Sequence, residues 1–237
     1  MSGQGEKSGF GFEVRNRIIR ALRPAAQDFL APRLVTRQIF PGELIYEDGA
    51  QFTHAVFPHE GVLSLMANMK SGKSVEKASI GLEGFLGFIL VMGGTKASST
   101  SVVQVPGYAS WLALPDLHEA LAEFECVRET MLRYAASLIT QTMESVACNS
   151  LHSAEQRISR WLLEAHDRVQ GDAFALTQVA LGEALGLRRA TVSDVCSELQ
   201  AAGILDYSRG TVVVTDRQAL EGRACECYGR IRSASLL

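Results

Sequence analysis

The chain has 237 residues, 47% of them apolar, with 23 Lys or Arg against 26 Asp or Glu and a formal net charge of −3. That length admits one large domain or two ordinary ones, each with its own core. The charge excludes a nonspecific polycation, because affinity for a phosphate backbone scales with the cations brought to it. The longest charge-free apolar run, GFLGFILVMGG at 84–94, falls well short of the roughly 20 residues a membrane helix needs, so no membrane partner is expected. The five cysteines are an odd number and all lie in the second half, which argues for reduced thiols and a cytoplasmic protein.

Residues 1–12 are rich in Gly and Ser and lack the apolar segment of a secretory signal, so they read as a disordered leader. From Glu13 to Leu30, Val14, Ile18, Ile19 and Leu22 recur at helical spacing, with Pro24 as a break and new start. Between Leu34 and Leu114 the pattern changes to short apolar runs separated by turn signals at 41–43, 47–49, 71–73, 93–94 and 106–107. Strands at that spacing predict an antiparallel barrel or jelly roll, giving a sensor-like domain over 13–114.

Pro115 opens a stretch free of Gly and Pro as far as Asn149, with Asp116 as its expected N-cap, which predicts one long helix over 115–149. Within it Leu132, Ala136, Ile139, Met143 and Val146 step by four and three, the seam of a two-stranded coiled coil. The same stripe could instead pack on the chain's own barrel. Asn149-Ser150 breaks the pattern and places a hinge there. Beyond it, Ser153 caps a helix expected over 154–169, with Ile158, Trp161, Leu162 and Ala165 on one face.

In the last domain, 150–237, Thr177 caps a helix over 178–185, Gly186 supplies a sharp turn, and a second helix runs over 188–202 to Gly203. Gly182 is the small residue that two steeply crossing helices need where they touch, while Val192, Val195, Cys196 and Leu199 face the core. This is a helix-turn-helix. The opposite face of the second helix carries Arg188, Arg189, Ser193, Asp194 and Ser197, with Thr191 at its edge. An arginine at the N-terminal end of a recognition helix can pair with guanine O6 and N7, worth about 1–3 kcal/mol of discrimination. Arg189 is the expected base reader, Arg188 a phosphate contact, and Thr191, Ser193, Thr177 and Gln178 further DNA-binding candidates. Two adjacent cations there oppose the helix dipole, a mismatch that a phosphate would relieve. After Gly203, ILDYSRGTVVVTD reads as a hairpin wing with Arg209 at its tip. Against this stands the charge of residues 151–237, ten Lys or Arg and eleven Asp or Glu.

This order of parts resembles the Crp/Fnr family of bacterial transcription regulators over about residues 13–228, most closely in LTQVALGEALGLRRATVSDVCSELQAAGIL (176–205). The resemblance implies an α+β fold: an N-terminal β jelly-roll sensor domain of the cyclic-nucleotide-binding kind, a long dimerisation helix and a C-terminal winged helix-turn-helix. It further implies a homodimer on double-stranded DNA at a near-palindromic operator, no enzymatic activity, and RNA polymerase and an unidentified small-molecule effector as candidate partners. The family's guanine-reading pattern Arg-Glu-Thr-Val corresponds to Arg189-Ala190-Thr191-Val192, with Ala190 and Asp194 departing from it.

The sensor departs further. Where nucleotide-binding members carry Gly-Glu and then Arg-Ser or Arg-Thr, this chain has Gly87-Phe88 and then Lys96-Ala97-Ser98-Ser99-Thr100. The loss of the acid and of the arginine argues against cyclic AMP binding of the family type. Gly87, Phe88, Lys96, Ser98 and Ser99 are the candidate effector pocket, made apolar by Phe88. No iron–sulfur cluster is expected, because no Cys precedes Cys126, and haem is not expected, although His54 and His59 lie on the barrel. The same two histidines, lacking a third ligand, are all that would support a cupin-like metalloenzyme. A module that has lost DNA binding is the other alternative. Cys196 invites a redox-switch reading, and Cys225-Glu226-Cys227, with no second ligand pair in view, reads as incidental cysteines on a C-terminal helix; no metal site or cofactor is expected.

Overall fold

The computed structural model describes residues 13–235, so the leader expected at 1–12 lies outside the described residues. The chain enters through α1 (Arg17–Arg20), capped by Asn16, and α2 (Pro24–Leu30), which has proline in its first turn as the break at Pro24 predicts. Five strands follow: β1 (Val35–Ile39), β2 (Leu44–Tyr46), β3 (His54–Asn68), β4 (Ser74–Ile80) and β5 (Thr100–Ala113). They form one antiparallel sheet in the order β1-β5-β3-β4, with β2 also pairing β5. Pro106-Gly107, expected as a turn, instead lies inside β5. The β3–β5 register slips around Glu60, and a Cβ on Gly107 would sit 2.2 Å from the Glu60 carbonyl oxygen, so this glycine lets a bulged strand continue where a larger residue would turn it away.

The apolar run 84–94 becomes a 3-10 turn (Phe88–Met92) between left-handed Gly87 and Gly93, packed on the long helix. No described helix is long and apolar enough to cross a membrane.

The segment expected as one helix is two. After α3 (Leu114–Glu123), Phe124 takes an extended conformation (φ −119°, ψ 103°), and α4 then runs over Glu125–Leu151. Neither Gly nor Pro causes the break; Phe124 turns its ring onto Phe29, 5.3 Å between centroids. Asp116 is not the cap. It sits in the first turn of α3 and pairs with Arg33 at 3.5 Å. Asn149 and Ser150 remain helical, and the hinge falls at His152, whose extended backbone leads to Ser153 and α5 (Ala154–His166). There Ser153 and Gln156 form a reciprocal capping box, worth about 1 kcal/mol. One face of α4, with Val127, Met131, Tyr134 and Leu138, is buried in the core of the N-terminal sheet domain, whereas Leu132, Ala136, Ile139, Met143 and Val146 are exposed. The seam therefore faces mainly outward, with Ile139 and Met143 bordering the N-terminal domain at their edge only.

The C-terminal part comprises β6 (Ala173–Ala175), α6 (Gln178–Leu185), α7 (Arg189–Ala201), β7 (Leu205–Ser208), β8 (Thr211–Val214), α8 (Arg217–Arg223) and α9 (Cys227–Ala234), its three strands pairing as β6-β8-β7. Its core continues into the sheet. The cross-strand pair Val62–Val105 faces Trp161 and its neighbours, while the adjacent pair Leu63–Val103 faces the barrel interior. Polar contacts bind the same interface. Buried Arg168 reaches Glu83 through Nη2 (2.7 Å) and Nε (3.2 Å) and Ser79 Oγ through Nη1 (2.7 Å). Trp161 Nε1 donates to Glu76 (3.1 Å), and Gln104 donates to the Ala180 carbonyl (2.6 Å). Burial raises the Glu76 carboxyl above the usual carboxylate range.

Candidate nucleic-acid interface

The reading element is built as its caps dictate. The Thr177 hydroxyl accepts the Ala180 amide (3.1 Å) at the start of α6, and Gly186 closes that helix in the left-handed region (φ 63°). A Cβ on Gly182 would lie 3.2 Å from the Leu187 carbonyl oxygen and 3.6 Å from Val192, so only a small residue lets the two helices approach this closely. Val192, Val195, Cys196 and Leu199 are buried as expected. Arg188 is the N-cap rather than the first residue of α7, and it makes no side-chain cap bond.

Arg188, Arg189 and Gln178 come together in one cleft of about 410 Å³, closed on its far side by Gly72, Lys73 and Ser74 from the β3–β4 hairpin. Thr191 and Ser193 are half-buried on α7. Arg209 stands at the tip of the β7–β8 wing with φ 50°, and a Cβ on the following Gly210 would lie 3.6 Å from Thr177, which brings the wing tip beside the start of α6.

Ion pairing sorts the arginines of the domain into tied and free ones. Arg160 pairs with Glu164, Arg168 with Glu83, Arg217 with Asp167 and Glu221, Arg223 with Glu155, and Arg230 with Glu144. Arg188, Arg189 and Arg209 are exposed and enter no ion pair among the described residues. Four acids of the domain, Glu155, Glu164, Asp167 and Glu221, are matched by its own arginines, and Glu83 and Glu144 from outside it take Arg168 and Arg230, which leaves Arg188, Arg189 and Arg209 free on the helix-turn-helix and wing, where Glu183, Asp194, Glu198 and Asp206 also enter no ion pair among the described residues.

The effector residues come together in part. Phe88, Ser98 and Ser99 line a mainly apolar cleft of about 270 Å³ with Leu65, Leu138 and Met143, and Lys77 donates to the Ser98 carbonyl (2.5 Å) at its edge. Gly87 and Lys96 do not line it; Lys96 is turned outward where it bridges Gln51. His59 is a buried structural residue: Nδ1 accepts the amides of Arg15 and Asn16 (3.2 Å each) and Nε2 meets Ser110 (2.7 Å). Burial and then the charge of Arg15 lower it to about 4. His54 contacts Thr53 (3.0 Å), and among the described residues neither histidine belongs to a converging ligand group. Cys196 is 2% exposed, and burial pushes its thiol up to about 11, the opposite of an activated thiolate.

One grouping escaped the sequence reading. Cys225 and Cys227 meet a second pair, Cys148 from the last turn of α4 and His152 just after it. The i, i+4 spacing of Cys148 and His152 was the available signal, but only the fold brings it to residues more than 70 positions away.

Residues 156–223 match the family model of the Crp-like helix-turn-helix domain. Among solved structures, FixK2 from Bradyrhizobium japonicum superposes with a TM-score of 0.68 at 19% identity, over 81% of this chain and 98% of that one. TTHB099, a transcriptional regulator of the CRP family from Thermus thermophilus, does so with 0.65 at 19% identity over 79% and 96%. The c-di-GMP responsive global regulator CLP of Xanthomonas campestris gives 0.63 at 14% over 82% and 100%. No curated protein matches the chain significantly. The chain shares the fold of these solved regulators, and residues 156–223 are similar to the Crp-like helix-turn-helix domain.

Proposed function

We propose that the protein is a cytoplasmic, sequence-specific DNA-binding transcription regulator, and not an enzyme, that acts as a homodimer on a near-palindromic operator. The observation that carries this reading is the set of exposed, unpaired arginines, Arg188, Arg189 and Arg209, on a domain whose other arginines are largely tied into ion pairs. Arg189 reads guanine, Arg188 and Arg209 hold phosphate, and Thr177, Gln178, Thr191 and Ser193 supply further contacts. The exposed stripe Leu132, Ala136, Ile139, Met143 and Val146 joins two copies, spacing their recognition helices near one turn of DNA, about 34 Å.

The signal enters at the apolar cleft. Its lining includes Ile139 and Met143, which also belong to the seam, so a ligand there touches the surface on which the two copies meet. No carboxylate or guanidinium lines the cleft, which supports an apolar effector over a cyclic nucleotide. RNA polymerase is the expected further partner.

Binding to promoter-sized duplexes across a salt series tests the reading. Affinity should fall with a log–log slope of about −0.9 per phosphate contacted. Arg189→Ala should cost about 1–3 kcal/mol per half-site and relax preference at one base pair. Salt-independent or absent binding would favour an interaction module that has lost DNA recognition.

A further inference from the structure

Beyond the reading element, α4 ends in a cluster with the chemistry of a metal site. Cys148 lies in the last turn of α4 and His152 is its C-cap, while Cys225 precedes α9, Glu226 is the N-cap of α9 and Cys227 its first residue. The four ligand atoms lie within 4.8 Å of one another. Cys148 Sγ is 3.5 Å from Cys225 Sγ, and Cys227 Sγ is 3.7 Å from His152 Nδ1. Around a tetrahedral zinc ion, with Zn–S near 2.3 Å and Zn–N near 2.0–2.1 Å, the sulfur–sulfur edge is about 3.8 Å and the sulfur–nitrogen edge about 3.6 Å. The two close pairs lie within about 0.3 Å of those lengths, and the remaining separations, up to 4.8 Å, close onto an ion by small side-chain shifts. All three cysteines are buried.

Two surrounding features fit an ion. His152 turns Nδ1 toward the sulfurs and Nε2 toward Glu226 Oε2 at 3.3 Å, the carboxylate–histidine relay that orients ligating imidazoles. Arg160, 4% exposed, pairs with Glu164 through Nη1 but leaves its buried Nε without a hydrogen-bond partner, and its guanidinium also lies beside Cys148. Three thiolates and a neutral imidazole around Zn²⁺ carry one net negative charge, which that guanidinium would offset.

We infer that Cys148, His152, Cys225 and Cys227 form a Cys₃His site for a zinc ion, which ties the end of α4 to the C-terminal helices. Binding replaces three S–H protons by three Zn–S bonds and releases the protons to solvent, with no change of oxidation state. Ligation would fasten α9, whose neighbour across the interface is α4 itself: the Ser137 hydroxyl donates to the Ala234 carbonyl. The spacing of one residue between Cys225 and Cys227, short for a structural zinc knuckle, is accommodated because the two thiols come from the turn before α9 and from its first residue.

The test uses the full chain, reduced and stripped of metal, titrated with Co²⁺ and then Zn²⁺. The expected result is one equivalent of Co²⁺ per chain, with sulfur-to-cobalt charge-transfer and tetrahedral d–d bands, displaced by one equivalent of Zn²⁺. Cys227→Ser and His152→Gln should abolish the tetrahedral spectrum. Glu226→Gln, at a side chain 61% exposed and therefore safe for folding, should weaken zinc binding about 10–100-fold. Cys196→Ser, outside the cluster, should change nothing. Sub-stoichiometric cobalt, a spectrum unaltered in Cys227→Ser, unchanged zinc affinity in Glu226→Gln, iron in place of zinc, or a disulfide among these cysteines in protein purified under reducing conditions would overturn the assignment.

Discussion

Replacing Glu83 by Gln perturbs the joint between barrel and DNA-binding domain at its most costly point. Arg168 and Glu83 are 7% and 9% exposed, and the carboxylate takes two guanidinium bonds at 2.7 and 3.2 Å as well as the Gly81 amide at 3.0 Å. Removing one partner of such a pair leaves the other charge buried and uncompensated, which costs about 3–5 kcal/mol, whereas an exposed pair costs about 0–1 kcal/mol. Arg168 would retain Ser79 as a partner, through Oγ at 2.7 Å, which places the expected loss near the lower end of that range. The companion variant Arg168→Met and the double variant complete a cycle, and the double should cost less than the sum of the singles by about 2–3 kcal/mol. Urea unfolding followed by fluorescence in a Trp111→Phe background reads the interface through Trp161, whose indole donates to Glu76 across the same joint. Single variants within 1 kcal/mol of the parent, or strict additivity, would refute the view that this pair holds the two parts together.

Other outcomes follow from single residues. His59, whose folded-state value is lowered from 6.5 to about 4, takes up its proton less readily when folded, so stability is full above pH 6.5 and falls as pH drops toward 4. By pH 5 the loss is about 2 kcal/mol, and in His59→Gln that slope should vanish from the stability–pH curve; an identical slope would locate the titration elsewhere. Ile139→Glu, at a side chain 50% exposed in the monomer, should leave folding within about 0.5 kcal/mol but abolish the dimer in sedimentation and weaken operator binding. Arg209→Asn replaces a residue held at φ 50°, so stability should be unchanged or slightly raised while the salt slope of DNA binding shrinks by about 0.9 per half-site; lost stability with an intact slope would make Arg209 structural. Cys196→Ser should leave peroxide sensitivity of DNA binding unchanged, since the thiol is buried and stays protonated.

Local chemistry announced the reading element almost completely. Thr177, Gly182 and Gly186 each act through atoms within a few positions of themselves, and they do in the structure what their spacing implies. Ser153 is legible for the same reason. Features fixed by distant partners were not: the break at Phe124 depends on Phe29, the continuation of β5 through Pro106-Gly107 on Glu60, and the hinge moved from Asn149 to His152 because α4 keeps its last turn. The candidate site divides along the same line. Arg188, Arg189 and Arg209 could be named in advance, but that they remain unpaired depends on which acids the other arginines meet, and residue spacing does not carry that. Phe88, Ser98 and Ser99 reach the apolar cleft while Lys96 turns away, a difference decided by the register of the bridge at Gln51.

The near balance of charge in residues 151–237, ten Lys or Arg against eleven Asp or Glu, bears on how such a regulator would find its site. A surface that brings three free arginines per copy to a duplex displaces few counterions, so random genomic DNA would hold it weakly. Most molecules would then be free in solution, and not stored along the chromosome, between visits to an operator. Occupancy would follow the number of molecules in the competent posture with little buffering by bulk DNA, and a small change in that number would be read out almost proportionally.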